Sequence, residues 1–218
     1  MTRTLGSLAA ALLPAMLLAQ EPPPAPPPED PALVEQRQAV ERLFEAGRHQ
    51  EVIAAAAAPD IQPAVVYMAA QSQLKLSATS QAAQAQAIQT YQRLEARPTD
   101  DPWHFIGLSG RQLVQNQIEP AIASAREAIA RAPMFGPAHY QLGLSLARAQ
   151  RWPEAAAAFE AAAMRRPGHA YTHYYAGLSY YRAGRPDQMS VHFDQFLKLA
   201  PEAPERPEVQ SIMRTIRR

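Results

Sequence analysis

Apolar residues in the second half of the chain recur three and four positions apart, the spacing that places them on one face of an α-helix. Tyr140, Leu144 and Ala147 follow this rule, and so do Ala155, Phe159 and Ala162. Proline punctuates the pattern: Pro153 and Pro186 sit where a first helical turn tolerates a missing N–H. Asp101 before Pro102 reads as a helix cap and start. The helices come in pairs, and the pairs repeat. Pro133, Pro167 and Pro201 are 34 residues apart, and the same interval links Gly143 to Gly177, Phe159 to Phe193, Tyr140 to Tyr174 and His139 to His173. Ala121, Ala155 and Met189 continue the series. Each unit reads as a helix, a short turn and a second helix that stops before proline. One such pair cannot bury both of its faces, so the units must stack. Val209, Ile212, Met213 and Ile216 form a last apolar stripe, predicting a capping helix over 205–218.

The order of residues within a unit resembles the tetratricopeptide repeat: a bulky or aromatic residue, a Leu/Ala–Gly pair, Ala, a large aromatic, Ala, and a closing Pro. One unit carries it as Leu142-Gly143, Leu146, Ala155, Phe159, Ala162 and Pro167. The next carries Ala176-Gly177, Tyr180, Gly184, Met189, Phe193 and Pro201. Upstream the pattern thins, with Leu108-Ser109 and Ala125 as departures, and a degenerate first unit carries Leu43, Phe44, Gly47 and Val52. The predicted units are 32–60, 63–98, 101–133, 135–167 and 169–201. The resemblance implies an all-α fold, an α-solenoid of stacked helix-turn-helix repeats wound into a right-handed superhelix.

It also implies a concave groove lined by the first helices, where a protein or peptide partner docks. Register selects Tyr67, Ile106, Tyr140 and Tyr174 as one set of equivalent groove positions. A second is Gln71, Gly110, Leu144 and Leu178, and a third is Lys75, Val114, Arg148 and Arg182. Trp103 and Tyr171 open their helices on that side, and Tyr181 extends it. The expected groove is an aromatic ladder edged by Lys75, Arg148 and Arg182. A buried place in the core is the competing position for Tyr140 and Tyr174. The basic and amide clamp of chaperone-tail receptors is not reproduced, because Ile106, Tyr140 and Leu144 fill its positions. The alternative ligand is a glycan or peptidoglycan stacked on the tyrosines, and an accessory subunit that stiffens a membrane complex is a third reading.

Composition narrows the chemistry. Alanine makes up 44 of the 218 residues, which favours helix. The chain has no Cys, so disulfides, thiolate metal sites and cysteine nucleophiles are excluded. A net charge of +1 gives no electrostatic case for nucleic acid. No phosphate loop, dinucleotide fingerprint or catalytic triad pattern is present, and Gly107-Leu108-Ser109-Gly110 lacks the spacing of a nucleophile elbow. His169 and His173 share a helix face at metal-ligand spacing, but no third ligand accompanies them, and the repeat relation of His173 to His139 favours a structural role. No catalytic residue, metal or cofactor is expected.

The N-terminus reads differently. Arg3 precedes an apolar run from Leu5 to Leu18, 14 residues long and short for a membrane span of about 20. Residues 1–20 are therefore expected to be a signal peptide with cleavage near Ala19, and a membrane anchor if the segment is retained. Its removal leaves equal numbers of acidic and basic residues. The expected location is periplasmic or extracellular. Residues 21–31, with seven prolines between Pro22 and Pro31, are expected to be an extended linker spanning roughly 30 Å.

Overall fold

The computed structural model describes residues 30–58, 60–76 and 80–216, which form eleven α-helices and no strand. In chain order these are α1 (Pro31–Glu45), α2 (His49–Ala55), α3 (Pro63–Leu76), α4 (Gln81–Glu95), α5 (Pro102–Val114) and α6 (Ile118–Arg131). They continue as α7 (Gly136–Arg148), α8 (Trp152–Arg165), α9 (Ala170–Arg182), α10 (Pro186–Leu199) and α11 (Arg206–Ile216). The signal segment and the linker up to Glu29 lie outside the described residues. One boundary is corrected. Pro31 opens α1 instead of ending the linker, because the Asp30 side chain accepts the Ala32 N–H at 2.9 Å and proline is tolerated at that first position.

Consecutive helices pack as antiparallel hairpins, and each hairpin packs on the next. The turns explain the regularity. Asn116, Gln150 and Gly184 have φ of +59°, +59° and +70°, and they too are 34 residues apart. At each turn the residue after the left-handed one donates its N–H five positions back: Gln117 to the Gln112 carbonyl, Arg151 to Leu146, and Arg185 to Tyr180. That is the Schellman closure, which satisfies carbonyls the helix end would leave unpaired. Gly47, at φ +72°, closes α1 in the same way, with Arg48 donating to Leu43. The degenerate N-terminal unit is thus built as a hairpin like the others.

Packing within hairpins depends on small residues opposite large ones. A Cβ at Gly143 would fall 2.7 Å from the Phe159 ring, and one at Gly177 would fall 2.4 Å from the Phe193 ring. Both phenylalanines are fully buried. Phe159 also stacks on Tyr175 of the following unit, with ring centroids 5.7 Å apart, which ties hairpin to hairpin. In the last unit Met189 and Phe196 stand where the repeat favours small residues, and both are absorbed inside: they are buried, and Phe196 packs against Tyr171 and Tyr174. At the C-terminus, α11 packs on α10 and buries Val209 and Met213. Among the described residues no helix is long and apolar enough to cross a membrane.

Candidate functional site

The inner face is built from α3, α5, α7 and α9, and it is not open along its length. Helix α1 packs on α3, and its side chains reach the start of α9. Phe44 meets the Tyr171 ring edge-on at 5.1 Å, Glu41 pairs with Arg166 at 2.7 Å, and the Glu45 carboxylate accepts the Ala170 N–H. First and last units therefore touch.

This closure corrects the expected aromatic ladder. Tyr67, Ile106, Tyr140, Tyr171 and Tyr174 are core residues, with Tyr140 only 4% exposed. Tyr67 spans the inner face to donate its hydroxyl to Gln141 at 2.6 Å, and its ring packs on Tyr91, Trp103 and Tyr140. Burial pushes the Tyr67 and Tyr140 phenols well above their ordinary range, so the belt stays neutral. The physical reason for the correction is reach. Rings on facing helices meet across the narrow interior and bury one another, where shorter side chains would leave a channel.

One turn further along the same helices, the interior stays open. A cavity of about 600 Å³ lies between Gln71, Leu74 and Lys75 of α3, Gly110, Leu113 and Val114 of α5, Gln141, Leu144 and Arg148 of α7, and Tyr175. Gln84 and Tyr91 of α4 complete the wall. Gly110 is required here, since a Cβ would fall 2.4 Å from the Tyr91 ring. The structure thus brings together Lys75, Leu144 and Arg148 with Gln71, Gly110 and Val114, the second and third register sets. The members from the last unit are left out. Leu178 packs against the core, Tyr181 is exposed, and the Arg182 guanidinium lies over the Trp152 ring at 5.9 Å, so the expected row of three cations is two. Trp103 belongs to the opposite end of the inner face, in edge contact with Phe135.

Lys75 is not a free cation. Its ammonium contacts Glu205 at 2.6 Å and sits over the Tyr171 ring at 4.5 Å, while Tyr171 donates its hydroxyl to Glu205 at 2.7 Å. Burial of Glu205 works against its charge, yet the Lys75 ammonium and the Tyr171 hydroxyl outweigh that and hold the carboxyl below its usual range. The triad ties the end of α3 to the chain just before α11. Arg148 is exposed at the cavity rim.

Six lining residues escaped the register argument: Leu74, Gln84, Tyr91, Leu113, Gln141 and Tyr175. Gln141 and Tyr175 are 34 residues apart and each follows a predicted groove tyrosine, so a second residue per turn would have found them.

The histidines act structurally. His139 bonds to the Pro133 carbonyl at 2.8 Å and His173 to the Pro167 carbonyl at 3.1 Å, one repeat apart. His173 faces His192 at 3.2 Å, not His169. His169 bonds Thr172, and burial together with Arg166 and His173 lowers its pKa to about 3, so its 3.8 Å approach to Glu41 is no ion pair. Among the described residues no group of three His, Asp or Glu could hold a metal ion.

A family model described as tetratricopeptide repeat matches residues 111–170 and 140–204, which supports the resemblance read from the residues. TTC0263, a thermophilic TPR protein in Thermus thermophilus, is 20% identical over 83% of this chain and 98% of its own, with a TM-score of 0.59. A structure of MamA (AMB-1) is 19% identical over 83% of this chain and 98% of its own, with a TM-score of 0.44. A CopN-Scc3 complex is 16% identical over 67% of this chain and 75% of its own, with a TM-score of 0.45. No curated protein matches the chain. The fold is an all-α solenoid of tetratricopeptide type.

Proposed function

We propose that the chain is an exported, non-catalytic scaffold that holds a short segment of a protein partner in the inner cavity. The observation that carries this reading is the cavity of about 600 Å³, lined by repeat-equivalent positions of three successive units. Leu74, Leu113, Val114 and Leu144 offer apolar contact, and the Gln71 amide lies on the wall where an extended backbone would pass. With Lys75 engaged by Glu205, Arg148 is the cation that meets the ligand, so the segment pairs a carboxylate with an apolar side chain. Burial of Tyr67, Tyr140, Tyr171 and Tyr174, which leaves Tyr181 as the exposed member of the ladder, favours a protein segment over the glycan alternative. Export rests on Arg3 and the apolar run from Leu5 to Leu18.

A photo-crosslinker at position 144 in the native cell should trap one partner, and Leu144→Arg should weaken its capture at least tenfold while helicity is unchanged. Arg148→Glu should weaken it less, with a loss that shrinks as salt is added. Wild-type capture by Leu144→Arg would put the binding surface elsewhere. N-terminal sequencing of the protein from its own host should find a start near Gln20. An intact Met1 in the membrane fraction would mean an anchor.

A further inference from the structure

At the opposite end of the inner face, a second groove of about 480 Å³ runs along the first turns of α1, α3, α5 and α7. Its walls are apolar and accessible: Leu33 is 46% exposed, Met134 is 76% exposed, and Trp103 and Phe135 form an edge-to-face pair at 5.2 Å. Arg37, Arg165 and Arg166 border it. Arg165 is held by the Pro133 and Ala161 carbonyls, neutral groups that leave its positive charge in place. Asp30 is itself part of the wall, so the chain preceding α1 enters directly at the groove.

What precedes Asp30 matches what the groove offers. Residues Glu21–Glu29 are six prolines and one alanine between two glutamates. Such a segment favours the extended polyproline helix, which aromatic-lined grooves bind with little loss of entropy. Nine residues in that form span about 28 Å, enough to cross the groove from its attachment at Asp30. Glu21 and Glu29 bring negative charge to Arg165, whose partners are neutral carbonyls, while Arg166 is already paired with Glu41. The tether also supplies an effective concentration on the order of millimolar, so weak contacts suffice. We infer that this groove is a binding site for an extended, proline-rich acidic segment, and that its occupant is the chain's own Pro22–Glu29. The site is separate from the inner cavity, and substitutions at Leu144 leave it untouched.

The sequence has two tryptophans, so Trp152→Phe in the full-length chain makes Trp103 the sole reporter. Acrylamide quenching of Trp103 is then compared between this chain and one whose six prolines in Pro22–Pro28 are replaced by Ser. The quenching constant should at least double in the Ser chain, with equal far-UV helicity. A synthetic peptide of residues Glu21–Asp30 should restore protection to the Ser chain and leave the parent unchanged. Equal quenching of the two chains, or no response of the Ser chain to the peptide, overturns the inference. Protection in the parent that disappears on hundredfold dilution would place a second copy's segment in the groove and overturn the assignment to the same chain.

Discussion

The hairpins from α5 to α10 and the contacts that close the N-terminal unit onto the C-terminal one hold the molecule together in opposite ways. In the hairpins each device is used repeatedly: a left-handed turn at Asn116, Gln150 and Gly184, a glycine under an aromatic ring at Gly143 and Gly177, a histidine on a proline carbonyl at His139 and His173. In the closure each device is used once: Phe44 on Tyr171, Glu41 on Arg166, Lys75 on Glu205. The repeated devices are uncharged and local, so they set the stability of the stack. The single devices are partly charged and join distant parts of the chain, so they decide whether the inner face is sealed. The binding properties of the array are governed by the contacts that do not repeat.

Breaking a repeated device should have the largest effect. Phe193→Ala removes a fully buried ring seated on Gly177, and a loss of about 3–5 kcal/mol is expected. The belt tyrosines behave similarly: Tyr140→Ala should destabilise the whole array instead of acting only on binding. Arg182→Ala, at an exposed position, should shift stability little. Urea midpoints compare the three. A small, equal effect of all of them would mean that the hairpins do not share one cooperative core.

Breaking a closing device should cost less and act locally. Glu205→Ala leaves the Lys75 ammonium half-buried without its carboxylate and Tyr171 without its acceptor, an expected loss of about 2 kcal/mol. Amide hydrogen exchange should speed up in α1 and α11 well before α7 and α8. Uniform acceleration through all helices would show that closure and stack are a single unit.

The same contrast explains what the sequence made legible. Periodicity exposes whatever repeats, so the hairpins, the recurrence of Gly143 and Phe159 at Gly177 and Phe193, and the last apolar stripe are legible from Pro133, Pro167, Pro201 and their companions. Closure has no period. Nothing in the sequence relates Phe44 to Tyr171 or Lys75 to Glu205, and so register alone does not choose between groove and core for Tyr140 and Tyr174, nor show that α1 and facing rings fill the space at Tyr67. At the next turn of the same helices register and structure agree, because Gln71, Gly110, Leu144 and Arg148 are too short or too flexible to seal the gap.

Proton linkage sharpens the comparison further. Burial, with the neighbouring Glu41 charge adding to it, raises the Glu45 carboxyl from 4.5 to about 7, against a hydrogen bond from the Ala170 N–H that lowers it. The folded protein then holds a proton that the unfolded chain has released, so stability is greatest below about pH 4.5 for this group. It is lost as pH rises toward 7 and is flat above. Discounted for the solvent that reaches the side chain, the change is on the order of 1–2 kcal/mol. Glu45→Gln should flatten this part of the pH profile, and exchange in α1 should follow the same dependence. A profile unchanged by the substitution would mean the carboxyl is solvated in the folded state.

The smallest effect tests the repeated turns directly. Gln150 is an exposed residue held at φ +59°, where a Cβ crowds the following carbonyl, while Gly184 serves the equivalent turn without that strain. Gln150→Gly should therefore stabilise the protein by about 1 kcal/mol, the relief of strain exceeding the extra entropy lost by glycine. The reverse change, Gly184→Ala, should destabilise by a similar amount, and through the backbone alone, because a Cβ there meets nothing within 4 Å. Thermal midpoints should move by about 2–4 °C in opposite directions. If Gln150→Gly lowers the midpoint, the glutamine side chain contributes to the turn and the three turns are alike in backbone only.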